Sequence, residues 1–424
     1  MIKRDSYLNR MIHHMWNGEV KVITGIRRCG KSVLLFDLFY EYLLSQGVQE
    51  DHIIKIELDQ RRYYKFRNPI ILCEYIEDLV SKKKDEKFYL FIDEVQLTTK
   101  VIDKENGDIE VSIYDMLNEL KAYKNLDVYV TGSNSKGLSK DIATEFRGRA
   151  TQIHVFPLSF EEFYSHVGGD ERKALDTYML YGGMPRLLTL TDEKDKKDYL
   201  SSLYSELYIK DIVERNGIER EDILNNILDF LASQISSLTN PTNIANALTS
   251  MKNEKVSSTL VSNYVQHIID SFLISMAKRY DVKGKTYFKY PNKYYYTDVG
   301  LRNARLNYRQ YDPGHIMENI IYNELLRRGY SVDVGVVTDR TGGANVQKEI
   351  DFVVNDADKK LYIQSAFQMD TDKKESSELA SLILTKDFFK KIIVRMDIPH
   401  NFYDDSGIFH CNLIDLLLGR VELF

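Results

Sequence analysis

Residues that staple or stiffen a chain are scarce here: three cysteines, seven prolines and one tryptophan in 424 residues. Cys29, Cys73 and Cys411 are odd in number and spaced widely without pattern, which excludes a disulfide scaffold. They read instead as reduced thiols of a cytoplasmic protein. No apolar run approaches the roughly 18 residues a membrane span needs, and the longest are broken by charge. The opening Met1-Ile2-Lys3-Arg4-Asp5 has no apolar stretch behind it, so no signal peptide is expected. Collagen-like and disordered compositions are absent, and so are repeats and low-complexity tracts. The net charge of −6 argues against a chain that coats nucleic acid non-specifically, while leaving room for a local basic face. What remains is 43% hydrophobic and 28% charged residues. That is enough for roughly two to four compact units, each with its own core.

The first 165 residues alternate strands with helices. Val20 to Thr24 reads as an apolar strand, and Ser32 to Leu44 repeats apolar residues at helical spacing. Ile53 to Leu58 is a second strand, Pro69 to Lys82 a helix, and Phe88 to Ile92 a continuous apolar strand of the kind covered on both faces. Val111 to Tyr123 is helical and Leu126 to Thr131 is another strand. The alternation predicts an α/β domain around a parallel sheet. From about 159 to 235 the pattern is helical, broken at Tyr181-Gly182-Gly183-Met184-Pro185. Asn240 to Val299 reads as helical segments over Thr242 to Thr249 and Ser257 to Arg279, then a Lys- and Tyr-rich strand-like stretch over Lys283 to Lys293. After about 312 the α/β signal returns: a helix over Gly314 to Arg328, strands over Ser331 to Val337, Lys348 to Val354 and Lys359 to Gln364, a helix near Ser376 to Leu384, and a strand over Lys390 to Met396.

Chemistry enters at Gly25-Ile26-Arg27-Arg28-Cys29-Gly30-Lys31-Ser32, which fits G-x-x-x-x-G-K-[ST] between a strand and a helix. Glycines let the loop fold back so that backbone N–H groups face phosphate oxygens, and the helix behind adds the positive end of its dipole. Lys31 would reach the β- and γ-phosphates, Ser32 would ligate Mg²⁺, and Val33 completes the contact set. ATP and Mg²⁺ are the expected ligands. The second half is Tyr89-Leu90-Phe91-Ile92-Asp93-Glu94, four apolar residues that deliver two carboxylates to a strand's end. Asp93 is expected to hold Mg²⁺ through its water shell, and Glu94 to orient and deprotonate the attacking water. The same stretch would also suit a solvated turn. Val128 to Ser135 is a third strand ending in small polar residues, of which Thr131, Ser133 or Asn134 could touch the γ-phosphate. Arg147 and Arg149 are candidates for an arginine finger, with an exposed structural arginine as the competing reading.

Taken with Gly148-Arg149, Pro157-Leu-Ser-Phe-Glu-Glu-Phe163 and Gly182-Gly-Met-Pro185, these motifs resemble the archaeal-like AAA+ ATPases of prokaryotes, relatives of signalling NTPases with numerous domains. The resemblance covers essentially the whole chain. It implies an AAA+-type core at 1–165, a helical lid at 166–238, a winged helix at 239–304, and at 305–424 a degenerate α/β domain of restriction-endonuclease-like fold. It further implies that the strand ending at Thr131 lies between the other two site strands, that Ser133 or Asn134 senses the nucleotide, and that Gly183 and Pro185 belong to the lid. From the residues alone, Gly182-Gly183 marks only a sharp break between helices.

In the winged-helix segment, Ser262, Asn263, Gln266 and His267 could read a DNA groove, with Lys283, Lys285, Lys289 and Lys293 on phosphates. Packing of the wing against protein competes with that reading, and Asp270, Asp281 and Asp298 do not favour a strong DNA footprint. In the last segment, Glu318, Asp351 and Gln364 match the acids of a metal-dependent nuclease. The position two after Gln364, where such an enzyme places a lysine, holds Ala366. Lys348, Lys359 or Lys360 could substitute; an inert scaffold or a protein-binding module fits as well. His13-His14 reads as surface or interdomain contact, Trp16 as core, and Cys29 as a small buried side chain. The sequence therefore predicts a cytoplasmic ATP-driven switch with a DNA- or protein-binding C-terminal half. The alternatives are an ATP-regulated DNA nuclease and an ATP-binding scaffold without turnover. Arg149 acting in trans would make it a homo-oligomer.

Overall fold

The computed structural model describes residues 2–104, 107–132, 150–252, 254–339 and 345–424. Ser133, Asn134, Arg147 and Arg149 lie outside the described residues. The chain divides into two compact units, Met1–Pro157 with Asp270–Phe272, and Leu158–Ile269 with Leu273–Phe424. Among the described residues, no helix is long and apolar enough to cross a membrane. All three cysteines are buried and free.

The first unit is built on five parallel strands: β1 (Val20–Thr24), β2 (Ile53–Glu57), β3 (Phe88–Asp93), β6 (Leu126–Gly132) and β7 (Ala150–His154). Their order is β2-β3-β6-β1-β7, so β6 separates the loop strand from the carboxylate strand, as the resemblance implies. β1, β3 and β6 are buried along their whole length, which is why they read as unbroken apolar runs. Helix α1 (Asp5–His13) precedes the sheet. Behind β1 one helix runs as α2 (Lys31–Val33), a π-helical stretch Leu34–Phe39, and α3 (Tyr40–Ser45). Its Phe39 packs on Phe91 and Tyr129 of the sheet. On the other face, α4 (Pro69–Val80) and α5 (Ile113–Leu120) supply Leu72, Ile76, Leu117 and Leu120 to a core with Val22, Ile56, Leu90 and Val130. The helix expected over Val111 to Tyr123 starts later because Ser112 and Asp115 form a capping box. A small hairpin of β4 (Val101–Asp103) and β5 (Ile109–Val111) was not anticipated. Trp16, expected in the core, is half-buried at the sheet's rim, its indole N–H donating to the Tyr89 hydroxyl.

The second unit opens with α6 (Phe160–Val167), whose capping box pairs Ser159 with Glu162 inside the Pro157–Phe163 motif. Helices α7 (Glu171–Tyr181), α8 (Glu193–Ser202), α9 (Lys210–Asn216) and α10 (Glu221–Ser233) follow. Next come β8 (Leu238–Thr239), α11 (Pro241–Lys252), α12 (Ser258–Asp270), β9 (Ile274–Ala277), β10 (Arg279–Asp281), β11 (Thr286–Tyr287) and β12 (Asn292–Tyr296). β8, β12 and β9 form an antiparallel sheet in that order. The helix expected to reach Arg279 thus stops at Asp270. The Ile274-Ser-Met-Ala277 run is short enough to suit either state, and pairing with β12 decides it. Of the strand expected over Lys283 to Lys293, only Thr286–Tyr287 and the start of β12 are paired.

After α13 (Val299–Arg305) and α14 (Pro313–Arg327) the chain forms β13 (Ser331–Asp339), β14 (Val346–Asp356), β15 (Lys359–Ala366), α15 (Asp372–Ile383), β16 (Lys390–Arg395), β17 (Phe402–Tyr403), β18 (Phe409–Asn412) and α16 (Leu413–Leu417). The hairpin of β10 and β11 joins these strands in an eight-stranded mixed sheet, β11-β10-β13-β14-β15-β16-β18-β17. Ile320, Leu325, Phe352, Ile363 and Val394 share its main core.

The Gly182-Gly183 break has a packing cause. Gly182 has φ +77° and its missing Cβ would stand 2.1 Å from the Asp298 carboxylate. Asp298 accepts the Gly183 N–H at 2.7 Å and caps α13 through the Leu301 N–H. Burial pushes this carboxyl up to about 6. The motif is a junction in which any side chain at Gly182 would displace a buried carboxylate.

Candidate functional site

The nucleotide loop is the turn from β1 into α2. Gly25 has φ +148°, and a Cβ there would meet the Val155 carbonyl oxygen at 2.2 Å, so only glycine fits. Arg28 also takes a left-handed conformation, φ +66°. The loop is held from below. Cys29 is fully buried with its thiol donating to the Val155 carbonyl at 3.3 Å, which gives it the small-core role expected. Arg4, itself buried, donates to the Cys29 carbonyl at 3.1 Å and to the Phe156 carbonyl at 2.7 Å. Ile26 is buried, while Arg28, Ser32 and Val33 face solvent and Arg27 and Gly30 are half-buried. Lys31 is only 4% exposed, and its Nζ donates to the Gly25 and Ile26 carbonyls at 3.0 and 3.1 Å. An ammonium held over the loop in this way stands ready for phosphate oxygens.

The start of α2 and the ends of β3 and β6 meet through hydrogen bonds. Ser32 Oγ donates to Asp93 Oδ2 at 2.8 Å, and Thr131 Oγ1 donates to Asp93 Oδ1. The Glu94 N–H donates to Thr131 Oγ1 at 3.1 Å, and Gln96 Nε2 donates to the Glu94 carboxylate. Burial raises the Asp93 pKa, opposed by the hydrogen bonds from Thr131 and Ser32. Glu94 has φ +51°, a strained turn that separates its side chain from that of Asp93. Thr131 therefore holds the Asp93 carboxylate and the Glu94 backbone, while Gln96 holds the Glu94 carboxylate. Gln96 closes the Phe91-Ile-Asp-Glu-Val-Gln96 motif of the resemblance, but a residue three beyond the end of β3 carries no periodic signal that would assign it this role. Ser32 and Asp93 are hard oxygen donors placed side by side, the donor set Mg²⁺ prefers.

A second constellation lies in the other unit. The structure brings Glu318 of α14, Asp351 of β14 and Gln364 of β15 together, and at their centre it places Lys293 of β12. The Lys293 Nζ is 2.8 Å from Glu318, 2.7 Å from Glu349 and 3.1 Å from Asp351. Lys293 is 3% exposed, which corrects its expected place on a DNA backbone. Alternation along β12 turns Lys293 and Tyr295 inward together, and the Tyr295 hydroxyl donates to Glu318 at 2.7 Å. The Ser365 N–H donates to Asp351 at 2.9 Å, and Gln364 Nε2 to Glu378 at 2.9 Å. β14 carries an extra residue across Asp351 and Phe352, between the pairs Asp333–Val353 and Gly335–Ile350, and this bulge helps aim Asp351. Burial lifts the Glu318 carboxyl up to about 8, opposed by Lys293.

Ala366 packs into a small apolar core with Val337 and Ile393. The substitutes expected for its missing lysine do not serve. Lys359 and Lys360 sit at the far end of β15, opposite Asp356 and Asn355, and Lys348 alternates to the face opposite Glu349. Lys293 supplies the cation, from a different element. It stands among the carboxylates, however, and among the described residues no group of three or more His, Cys, Asp or Glu side chains is placed to hold a metal ion. As arranged, the cluster does not fit the divalent ion of a nuclease.

Two family models match the sequence: an AAA domain over residues 17–164, and a domain of unknown function over 172–312. An uncharacterised protein of Haemophilus influenzae is 34% identical over 399 residues, spanning 93% of each chain. An uncharacterised protein of Methanocaldococcus jannaschii is 29% identical over 394 residues, 88% of this chain and 80% of that one. Among solved structures, a Walker-type ATPase of Pyrococcus abyssi aligns with a TM-score of 0.49 and 16% identity, over 72% of this chain and 96% of that chain. With its glycine loop, its paired strand-end carboxylates and a relative matched along nearly its whole length, the chain belongs to the archaeal-like AAA+ ATPases, a family of P-loop nucleotide-binding proteins.

Proposed function

We propose that the protein hydrolyses ATP and uses the nucleotide state to switch a C-terminal half that binds DNA or a protein partner. The observation that carries this is the hydrogen-bonded chain Ser32–Asp93–Thr131–Glu94, which gathers these groups at the start of α2 and the ends of β3 and β6. Lys31 would bind the β- and γ-phosphates. The Glu94 carboxylate would take a proton from a water whose oxygen attacks the γ-phosphorus as the bond to the bridging oxygen breaks, releasing ADP and phosphate. A bound Mg²⁺, held by Ser32 and Asp93, would neutralise charge on the phosphate oxygens.

The four-part division of the chain remains our reading of the sequence. In its support, α10, β8, α11, α12, β9 and β12 follow the helix–strand–helix–helix–strand–strand order of a winged helix. The acidic cluster, with its internal ammonium, supports a scaffold or binding role for the last segment over metal-dependent cleavage. Metal-dependent DNA cleavage lost in Asp351→Ala would overturn that choice.

Steady-state phosphate release is the test, on wild type, Lys31→Ala and Glu94→Gln, with and without duplex DNA. Wild type is expected to turn over. Glu94→Gln should retain nucleotide binding and lose at least about 100-fold in rate, and Lys31→Ala should lose both. A wild type that binds ATP without releasing phosphate would leave a nucleotide-gated scaffold. DNA that leaves the rate unchanged would direct the search to a protein partner.

A further inference from the structure

β12 shows one face to the acidic cluster and the other to a cavity of about 360 Å³. That volume lies in the range of small-ligand sites, about 300–1,000 Å³. Asn292 and Tyr294 line the cavity, one residue out of phase with Lys293 and Tyr295. The far wall is α12, through Ser262, Val265 and Gln266. The lining is also aromatic and basic, with Tyr287, Phe288 and Tyr290 beside Lys278 and Lys289. Tyr287 is 60% and Tyr290 40% exposed, and both lysines face solvent.

The floor carries an unmet hydrogen-bonding need. Asn292 is 3% exposed, and its Nδ2 donates to Met276 Sδ at 3.3 Å and to the Lys289 carbonyl at 3.4 Å. Its Oδ1 is buried with no partner among the described residues. A buried carbonyl oxygen without a donor costs stability unless something supplies one. Asn292 lines a cavity of small-ligand volume together with Tyr287, Phe288, Tyr290, Lys278 and Lys289, so a ligand that enters it can supply the missing donor.

We propose that this cavity receives one nucleotide unit of a single-stranded nucleic acid: the base inserts against Tyr287, Phe288 and Tyr290 and donates an N–H to Asn292 Oδ1, while Lys278 and Lys289 take the flanking phosphates. Aromatic stacking combined with a basic rim is how single strands are held. The exposed rim lets a chain enter and leave, which a closed small-molecule site would not require. Tyr287 is held in place for this by its own hydroxyl, which donates to Asp333 at 2.8 Å. The inference deepens the reading of the C-terminal half as a binding module and is independent of ATP turnover.

Fluorescence anisotropy of labelled oligo-dC and oligo-dT, without ATP, tests it on the full-length protein. Wild type should bind both at low salt, with dC favoured because cytosine carries an exocyclic amino donor where thymine carries an acceptor. The double charge reversal Lys278→Glu/Lys289→Glu, on exposed positions, should weaken binding about tenfold or more, and Tyr290→Ala by a comparable factor. Asn292→Leu should remove the preference for dC, with thermal melting to show that it stays folded. Competition by free CMP at concentrations matched per nucleotide would identify a free nucleotide as the source of the same chemistry; its failure to compete identifies the strand. Lys31→Ala should bind oligonucleotide as wild type does, which separates this result from any failure of the ATPase reading. Absence of oligonucleotide and CMP binding, or binding untouched by the charge reversal and by Tyr290→Ala, would overturn the proposal.

Discussion

Two buried lysines divide the chemistry of this chain between them. Lys31, 4% exposed, rests on two backbone carbonyls five and six residues away in its own loop. Lys293, 3% exposed, rests on three carboxylates borne by residues 318, 349 and 351. The hydrogen-bond partners of Lys31 are neutral carbonyls, with the Asp93 carboxyl acting on it only through space. The acidic side chains compensate Lys293 in place, Glu318 as a hydrogen-bonded carboxyl that burial helps to keep protonated, and burial of the group makes each partner depend on the others. Equal burial therefore accompanies two different settings: one ammonium sits on neutral carbonyls, where the proposed function places a phosphate, and the other is taken up by acidic side chains of the fold.

Breaking each lysine should show the difference. Lys293→Met leaves Glu318, Glu349 and Asp351 without their cation, and removing one partner of a buried ion pair costs about 3–5 kcal/mol. The expected result is a clear loss of thermal stability in the second unit, read by calorimetry or denaturant melting, with little change in phosphate release per folded molecule. Lys31→Ala should do the reverse, and equal melting shifts for the two variants would dissolve the comparison.

A smaller effect follows from Glu318. Its folded carboxyl is raised to about 8, mainly by burial, against about 4.5 when unfolded. The folded state then holds the proton over that interval while the unfolded state releases it. Its contribution is full below about pH 4.5 and lost as pH rises toward 8, by at most about 1.4 kcal/mol per pH unit. Glu318→Gln should flatten the fall in melting temperature between pH 5 and 8; an unchanged slope would mean that the carboxyl titrates normally.

The smallest effect belongs to Cys29. It sits inside the phosphate loop but points away from the ligand side, into the Val155 carbonyl. Cys29→Ala should cost about 1 kcal/mol from one lost hydrogen bond and a little packing, with phosphate release within a few-fold of wild type. A large catalytic loss would show that the thiol shapes the loop itself.

Much of the first site was legible before the fold. Gly25 through Ser32 are contiguous, so their relation is local and the chain itself enforces it. Asp93 and Glu94 were legible because four apolar residues announce a buried strand whose end must emerge at the sheet's edge. Gln96 and the positioning role of Thr131 needed the hydrogen bonds. In the second unit, Glu318, Asp351 and Gln364 were correctly grouped from their places on a helix and two strands, whereas Lys293 was assigned to the wrong surface. Local composition around it, rich in Lys and Tyr, looks solvent-exposed; only the tertiary packing, which buries every residue of β12, shows otherwise. The overrun of α12 has the same origin, since Ile274–Ala277 satisfies helical and extended patterns alike until a partner strand is present.

The sequence by itself determined what short-range covalent spacing can determine: the glycine loop between β1 and α2, the carboxylates at the end of β3 and the alternation that makes a parallel sheet. Tertiary structure decided what depends on groups distant along the chain. It seated β6 between β1 and β3, fixed Gly182 against Asp298, and set Lys293 among Glu318, Glu349 and Asp351. The physical reason is that a buried charge requires compensation wherever it can be found in space, and spacing along the chain does not record where that is.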